Sequence, residues 1–160
     1  MLKMLSPFCA ALLLSVLPVK TVMACSCAKN QTERSLFDEA EYVAHVKITA
    51  AELRDIHELG NVASDDDMLN ETPEYVRVSF EEVEIFKKTK FSPIYLRELP
   101  FANGNCMLGL LPGLEYVIFL GKDSMWFVAR CSGSGFFDAA VSEEVPPKIK
   151  RLREWAKERR

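Results

Sequence analysis

Apolar residues crowd the start of the chain, where Lys3 precedes a run over residues 4–19 and Val22-Met23-Ala24 leads directly into Cys25. A basic residue, an apolar stretch and a small residue before the break make up a secretory signal, cleaved after Ala24. Pro7, Pro18 and Lys20 interrupt the run before it reaches the roughly 20 unbroken apolar residues of a membrane span. The pattern then takes helical spacing. Leu36, Phe37 and Ala40, within residues 30–41, predict a short amphipathic helix opened by Gln31, Thr32 and Glu33. From Tyr42 the period becomes two: Tyr42, Ala44, Val46 and Ile48 alternate with Val43, His45, Lys47 and Thr49, which predicts a strand with one buried face.

Residues 54–72, with Gly60, Asn61 and Asp65-Asp66-Asp67, lose all periodicity and read as a long loop. Alternation returns over residues 75–86, where Val76, Val78 and Phe80 fall out of phase with Val83 and Ile85. One extra residue near Glu81-Glu82 accounts for that slip, a bulge of the kind that bends strands round barrel corners. A third strand is expected over residues 94–99, followed by a turn-rich connection over 100–112. The apolar runs 116–120 and 125–131, separated by Gly121-Lys122-Asp123, predict a hairpin ending at Cys131. After Gly133 and Gly135 the chain reads as irregular until Pro146-Pro147, which open a helix with Ile149, Leu152, Trp155 and Ala156 on one face. The inventory is that of a mainly β fold: a five-stranded OB-like Greek-key barrel with a short N-terminal helix and a C-terminal amphipathic helix. A flattened β-sandwich is the alternative.

Composition narrows the reading further. A chain of 160 residues, 49% hydrophobic and 27% charged, holds one ordinary domain and is neither a multidomain enzyme nor disordered throughout. The full chain has 20 basic and 23 acidic side chains; without residues 1–24, which carry Lys3 and Lys20, it has 136 residues and a net charge of −5. No global field for nucleic acid exists, and any anion must be bound locally. The one basic concentration is Lys148, Lys150, Arg151, Arg153, Lys157, Arg159 and Arg160, seven cations against two acids over residues 148–160. It reads as the solvated face of a docked helix, with a polyanion or membrane surface as the partner it would suit.

Once Cys9 leaves with the signal, Cys25, Cys27, Cys106 and Cys131 remain, an even number that in an exported chain means two disulfides. A bridge within Cys25-Ser26-Cys27 would strain the ring, so both early cysteines pair far downstream, in either of two ways. The Cys-x-Cys spacing is too tight for an ordinary zinc site. His45 and His57 fit no triad. Ser132-Gly133-Ser134-Gly135 lacks the glycine two before the serine that a nucleophile elbow needs, and the acidic run 65–67 lacks the pattern of a calcium loop. No enzyme, intrinsic metal or cofactor is expected. Asn30-Gln31-Thr32 and Asn70-Glu71-Thr72 match the glycan acceptor pattern.

Cys25-Ser26-Cys27 at the mature N-terminus, the apolar helix after it, Tyr42-Val43-Ala44-His45-Val46, a late Asn105-Cys106 and a segment ending Ala129-Arg130-Cys131 resemble the N-terminal domain of the tissue inhibitors of metalloproteinases. That domain belongs to the netrin-like group of OB folds. The resemblance implies the pairs Cys25–Cys106 and Cys27–Cys131. It also implies that the free α-amino nitrogen and carbonyl oxygen of Cys25 chelate the zinc of a target protease, with the Ser26 side chain entering the adjoining specificity pocket. The chain departs from the family where Leu36 and Phe37 stand in place of a third disulfide, and where Ala28-Lys29 follows Cys27 instead of a proline-containing ridge.

The expected organisation is therefore a signal peptide over 1–24, a netrin-like domain over 25–137, and a linker with a basic helix over 138–160. The resemblance implies a secreted or periplasmic inhibitor of zinc metalloendopeptidases, the zinc belonging to the target. The alternative is a non-inhibitory netrin-like binding module, lipid-anchored if Val22-Met23-Ala24-Cys25, which loosely resembles a lipoprotein signal, is processed as one.

Overall fold

The computed structural model describes residue 27 and residues 31–59, 74–89, 92–100, 106–121, 127–137 and 146–159. Helix α1, Glu33–Glu39, begins at Thr32, whose hydroxyl accepts from the Ser35 amide at 3.1 Å while the Ser35 hydroxyl accepts from the Thr32 amide at 3.0 Å. These reciprocal bonds satisfy two amides that the first turn otherwise leaves open. At the other end Lys87 donates to the Phe37 and Asp38 carbonyls at 2.9 and 2.8 Å, placing a cation on the negative pole of the helix.

Five antiparallel strands follow: β1 Tyr42–Asp55, β2 Glu74–Lys88, β3 Leu96–Glu98, β4 Glu115–Leu120 and β5 Gly135–Phe137. Their order, β3-β2-β1-β4-β5, sets the fourth strand beside the first after a three-strand meander, which is the Greek-key arrangement. Residues 127–137 then join the two free edges. Phe127 bridges to Arg97 of β3 in parallel, with the Val128 amide donating to the Arg97 carbonyl at 2.7 Å, and β5 pairs with β4. The mainly β fold expected from the alternation is thus present, with its helix at either end. Among the described residues no helix is long and apolar enough to cross a membrane.

Several local expectations need correction. Residues 125–131 were expected to form a hairpin with 116–120, but Phe127 and Val128 bond β3, and Cys131 sits in a 3₁₀ turn, Arg130–Ser132. The hairpin partner of β4 is β5, in a stretch that reads as irregular. The first part of the expected loop over 54–72 is the end of β1 and a 3₁₀ turn, Ile56–Leu59; its acidic run lies outside the described residues.

The expected bulge falls between Glu82 and Glu84, leaving Val83 without a register partner; a second irregularity skips Phe86 and a third skips Thr49. The first slip on β2 reverses the phase and the second restores it. Phe86 is buried, and Val83 and Ile85 are exposed.

Two apolar layers result. Tyr42, Ala44, Val46 and Ile48 of β1 fill the barrel with Val78, Leu96, Tyr116, Ile118, Leu120 and Val128. Outside it, Val43, Phe86, Val117 and Phe119 meet Phe37 and Ala40 of the α1 region and Ile149 and Leu152 of α2, the C-terminal helix Pro147–Glu158. Residues 42–46 of β1 and 116–120 of β4 are therefore covered on both faces, which corrects the single buried face expected for β1. Full burial of Ile149 and Leu152 stabilises the docking of α2 by roughly 1.5–3 kcal/mol each.

Surface ion pairs contribute less to stability, but they fix the orientation of α2. Arg153 grips Glu84 with two nitrogens at 2.9 and 2.8 Å, Arg151 reaches Glu33 at 2.6 Å, and Arg159 reaches Asp38 at 2.6 Å. Hydrogen bonds from Arg159 and then Arg34 hold the Asp38 carboxyl below its usual pKa.

Candidate functional site

Cys27 is bonded to Cys131 across 104 residues, with an S–S length of 2.04 Å and Cα atoms 5.2 Å apart. Cys106 is disulfide-bonded as well, and its sulfur lies 3.8 Å from that of Cys131, so two bridges stand side by side. Cys25 and Ser26, and with them the expected pair Cys25–Cys106, lie outside the described residues, as do Asn30 and Asn70.

The platform under the bridges is hydrogen-bonded throughout. The Arg130 amide donates to the Cys106 carbonyl at 2.8 Å, and its guanidinium donates to the Met107 carbonyl at 3.1 Å. Next along the chain, the Glu98 carboxylate, only 1% exposed, accepts from the amides of Leu108, Gly109 at 2.7 Å and Leu110 at 2.8 Å. The Tyr116 hydroxyl accepts from the Leu111 amide at 3.1 Å and donates to the Gly109 carbonyl at 2.8 Å. A buried carboxylate is tolerable when donors surround it, and here three amides do.

Sequence reasoning did not single out Glu98. Its one signal is parity: it shares the inward face of β3 with Leu96. Replacing Glu98 with Gln removes the charge and leaves at least one amide poorly satisfied, an expected loss of about 1–3 kcal/mol in denaturant unfolding.

The Ser132-Gly133-Ser134-Gly135 stretch is a structural bend. Gly133 has φ 93°, and a Cβ there would meet Leu36 at 3.2 Å and the Phe119 ring at 3.4 Å, so the bend packs between α1 and β4. The buried Ser134 hydroxyl accepts from the Phe119 amide at 2.8 Å, taking the place of the next ladder bond beyond β5. Lys148 reaches in from α2 to donate to the Gly133 carbonyl at 2.7 Å, and burial pushes its pKa down. His45 is likewise satisfied. It is buried, 2.7 Å from Glu115, with its ring 4.3 Å from that of Phe137. The His57 side chain lies outside the described residues.

The basic helix is more neutral than its sequence reads. Lys148, Arg151, Arg153 and Arg159 all face carboxylates, whereas Lys150 and Lys157 have no ion-pair partner among the described residues; Arg160 lies outside them. Among the described residues no group of three or more His, Cys, Asp or Glu side chains is arranged to hold a metal. No protein-family model matches the sequence, and no curated protein matches it.

Proposed function

We propose that the protein is a secreted inhibitor of zinc metalloendopeptidases that acts through its mature N-terminus. The observation that carries this reading is the paired-bridge platform: Cys27 is fastened to Cys131 beside a second disulfide, on backbone held by Arg130 and Glu98. Two residues of chain span at most about 7 Å, so Cys25 begins within that reach of the Cys27 anchor.

Cleavage after Ala24 gives Cys25 a free α-amino group next to its own carbonyl. Together they form a five-membered chelate for the open coordination position of a catalytic zinc, displacing its water. An α-amino pKa near ~8 makes loss of the proton inexpensive at neutral pH. Ser26 then points its small hydroxyl into the neighbouring pocket. A wedge already fixed by disulfides loses little conformational entropy on docking.

Intact mass and N-terminal sequencing of the exported protein, with an inhibition screen against zinc endopeptidases, test this directly. The expected result is an unmodified Cys25 amine, no free thiol, and inhibition of at least one member of the panel. An acylated Cys25 has no free amine and ends the chelation reading in favour of a lipid-anchored binding module.

A further inference from the structure

We infer that the open edge of β1 over residues 50–55 pairs with the same edge of a second copy of this chain, giving an antiparallel, two-fold dimer centred on Leu53. β1 and β2 stay paired as far as Asp55 and Glu74. On its other side β1 has β4 only over residues 42–47, after which Ile48 bonds the backbone of Leu114 and Gly113. Past Ile48, no strand among the described residues lies on that side. Successive residues of a strand direct their N–H and C=O groups to alternate sides, so half of residues 50–55 present theirs to the open edge. Such an edge, about 20 Å long, is a template for another strand.

The usual protections of an edge are weak here. Residues 50–55 hold no proline and no lysine, their charges are of both signs, and Ala50, Ala51, Glu52 and Leu53 are exposed. Leu53 stands opposite Val76 at the rim of the barrel interior, yet is 55% exposed. Glu52 and Arg54 share the other face of the strand, bonded to each other at 2.9 Å with side chains 51% and 37% exposed.

Charge selects both the occupant and the register. In an antiparallel pair symmetric about Leu53, that leucine meets its own copy, and Glu52 meets the partner's Arg54 on each side of the axis. Every carboxylate then lies between its own guanidinium and its partner's. An axis through Glu52 or through Arg54 would oppose like charges, and one between Leu53 and Arg54 would set Glu52 against Asp55. An axis between Glu52 and Leu53 forms no ion pair. Arg77, across from Glu52 on β2, and Glu58, 3.7 Å from Arg54, bring the local count to two acids and two bases per chain, so the two edges approach without net repulsion. An isologous contact of this kind closes on itself and does not grow into a fibre.

The test is sedimentation equilibrium of the whole protein over a concentration series. A short strand pair lies at the small end of specific interfaces, so a dissociation constant on the order of 100 μM is expected. Glu52→Arg and Arg54→Glu should each weaken the dimer at least about tenfold, because each opposes like charges on both sides of the axis. Mixed in equal amounts, the two variants should regain a dimer, since the two arginines of one chain then face the two glutamates of the other. Leu53→Lys, outside that ion pair, sets like charges on the axis itself and serves if either reversal lowers the melting temperature; it too is expected to weaken the dimer. A dimer indifferent to all three substitutions, or reversals that do not recover on mixing, overturns the proposal. So does a chain that stays monomeric throughout, which leaves the edge to a strand of a different protein.

Discussion

Adding one alanine before Cys25 is expected to abolish inhibition of a susceptible zinc endopeptidase while leaving the melting temperature unchanged. The added residue converts the terminal amine into a peptide nitrogen, whose lone pair is delocalised into the carbonyl and is no longer a ligand for zinc. It also places backbone where the metal must sit. Loss of both effects together corresponds to about 1,000-fold in the inhibition constant, or about 4 kcal/mol. Stability should not follow, because the insertion lies upstream of the Cys27–Cys131 anchor and touches neither apolar layer of the barrel. Equal inhibition by the extended protein would falsify zinc chelation and move the interface elsewhere on the barrel.

What could be read in the sequence depended on whether one face of an element stays polar. The interior residues of β1 were visible because Lys47 and Thr49 break the apolar run on the other side, whereas β4 lost its alternation because Tyr116, Ile118 and Leu120 fill the barrel as Val117 and Phe119 meet the helices. Two irregularities in β2, at Val83 and Phe86, each shift the alternation by one residue and so cancel, which the single expected bulge does not describe. Gly135–Phe137 is too short to show a period, and the parallel bridge from Phe127 to Arg97 leaves no local mark at all.

The candidate site divides in the same way. Cysteine arithmetic required long-range bridges and left two pairings open, the resemblance selected Cys27–Cys131, and that bond is present. The supports of the site were hidden, because Glu98 is a charged residue in a strand and strand charges usually face water. The acids that neutralise the C-terminal helix were hidden for another reason: Glu84 is 69 residues from Arg153, and Glu33 is 118 from Arg151. A charge run counts only the residues beside it in the chain, whereas the field at the surface counts those beside it in space.

The same contrast between anchor and chelate governs the last expected result. Replacing Cys27 and Cys131 together with serine removes a cross-link spanning 104 residues, which should lower stability by about 2–5 kcal/mol and the melting temperature by roughly 10–20 °C. Most of that loss arises in the unfolded state, whose ensemble expands once the long loop is open, so the denaturant m-value should rise as the midpoint falls. Replacing both cysteines leaves no unpaired thiol from this bridge to attack the neighbouring disulfide at Cys106, 3.8 Å away in the parent. Inhibition should fall with stability even where the barrel stays folded, because the Cys25 amine survives but its rigid support on Cys131 does not. The two experiments therefore separate the parts of the mechanism: the alanine extension removes inhibition at constant stability, and the serine pair weakens both. If the serine pair inhibits as well as the parent at a temperature where it is fully folded, the Cys27 anchor does not position the N-terminus, and the platform built from Glu98, Cys106 and Arg130 is structural only.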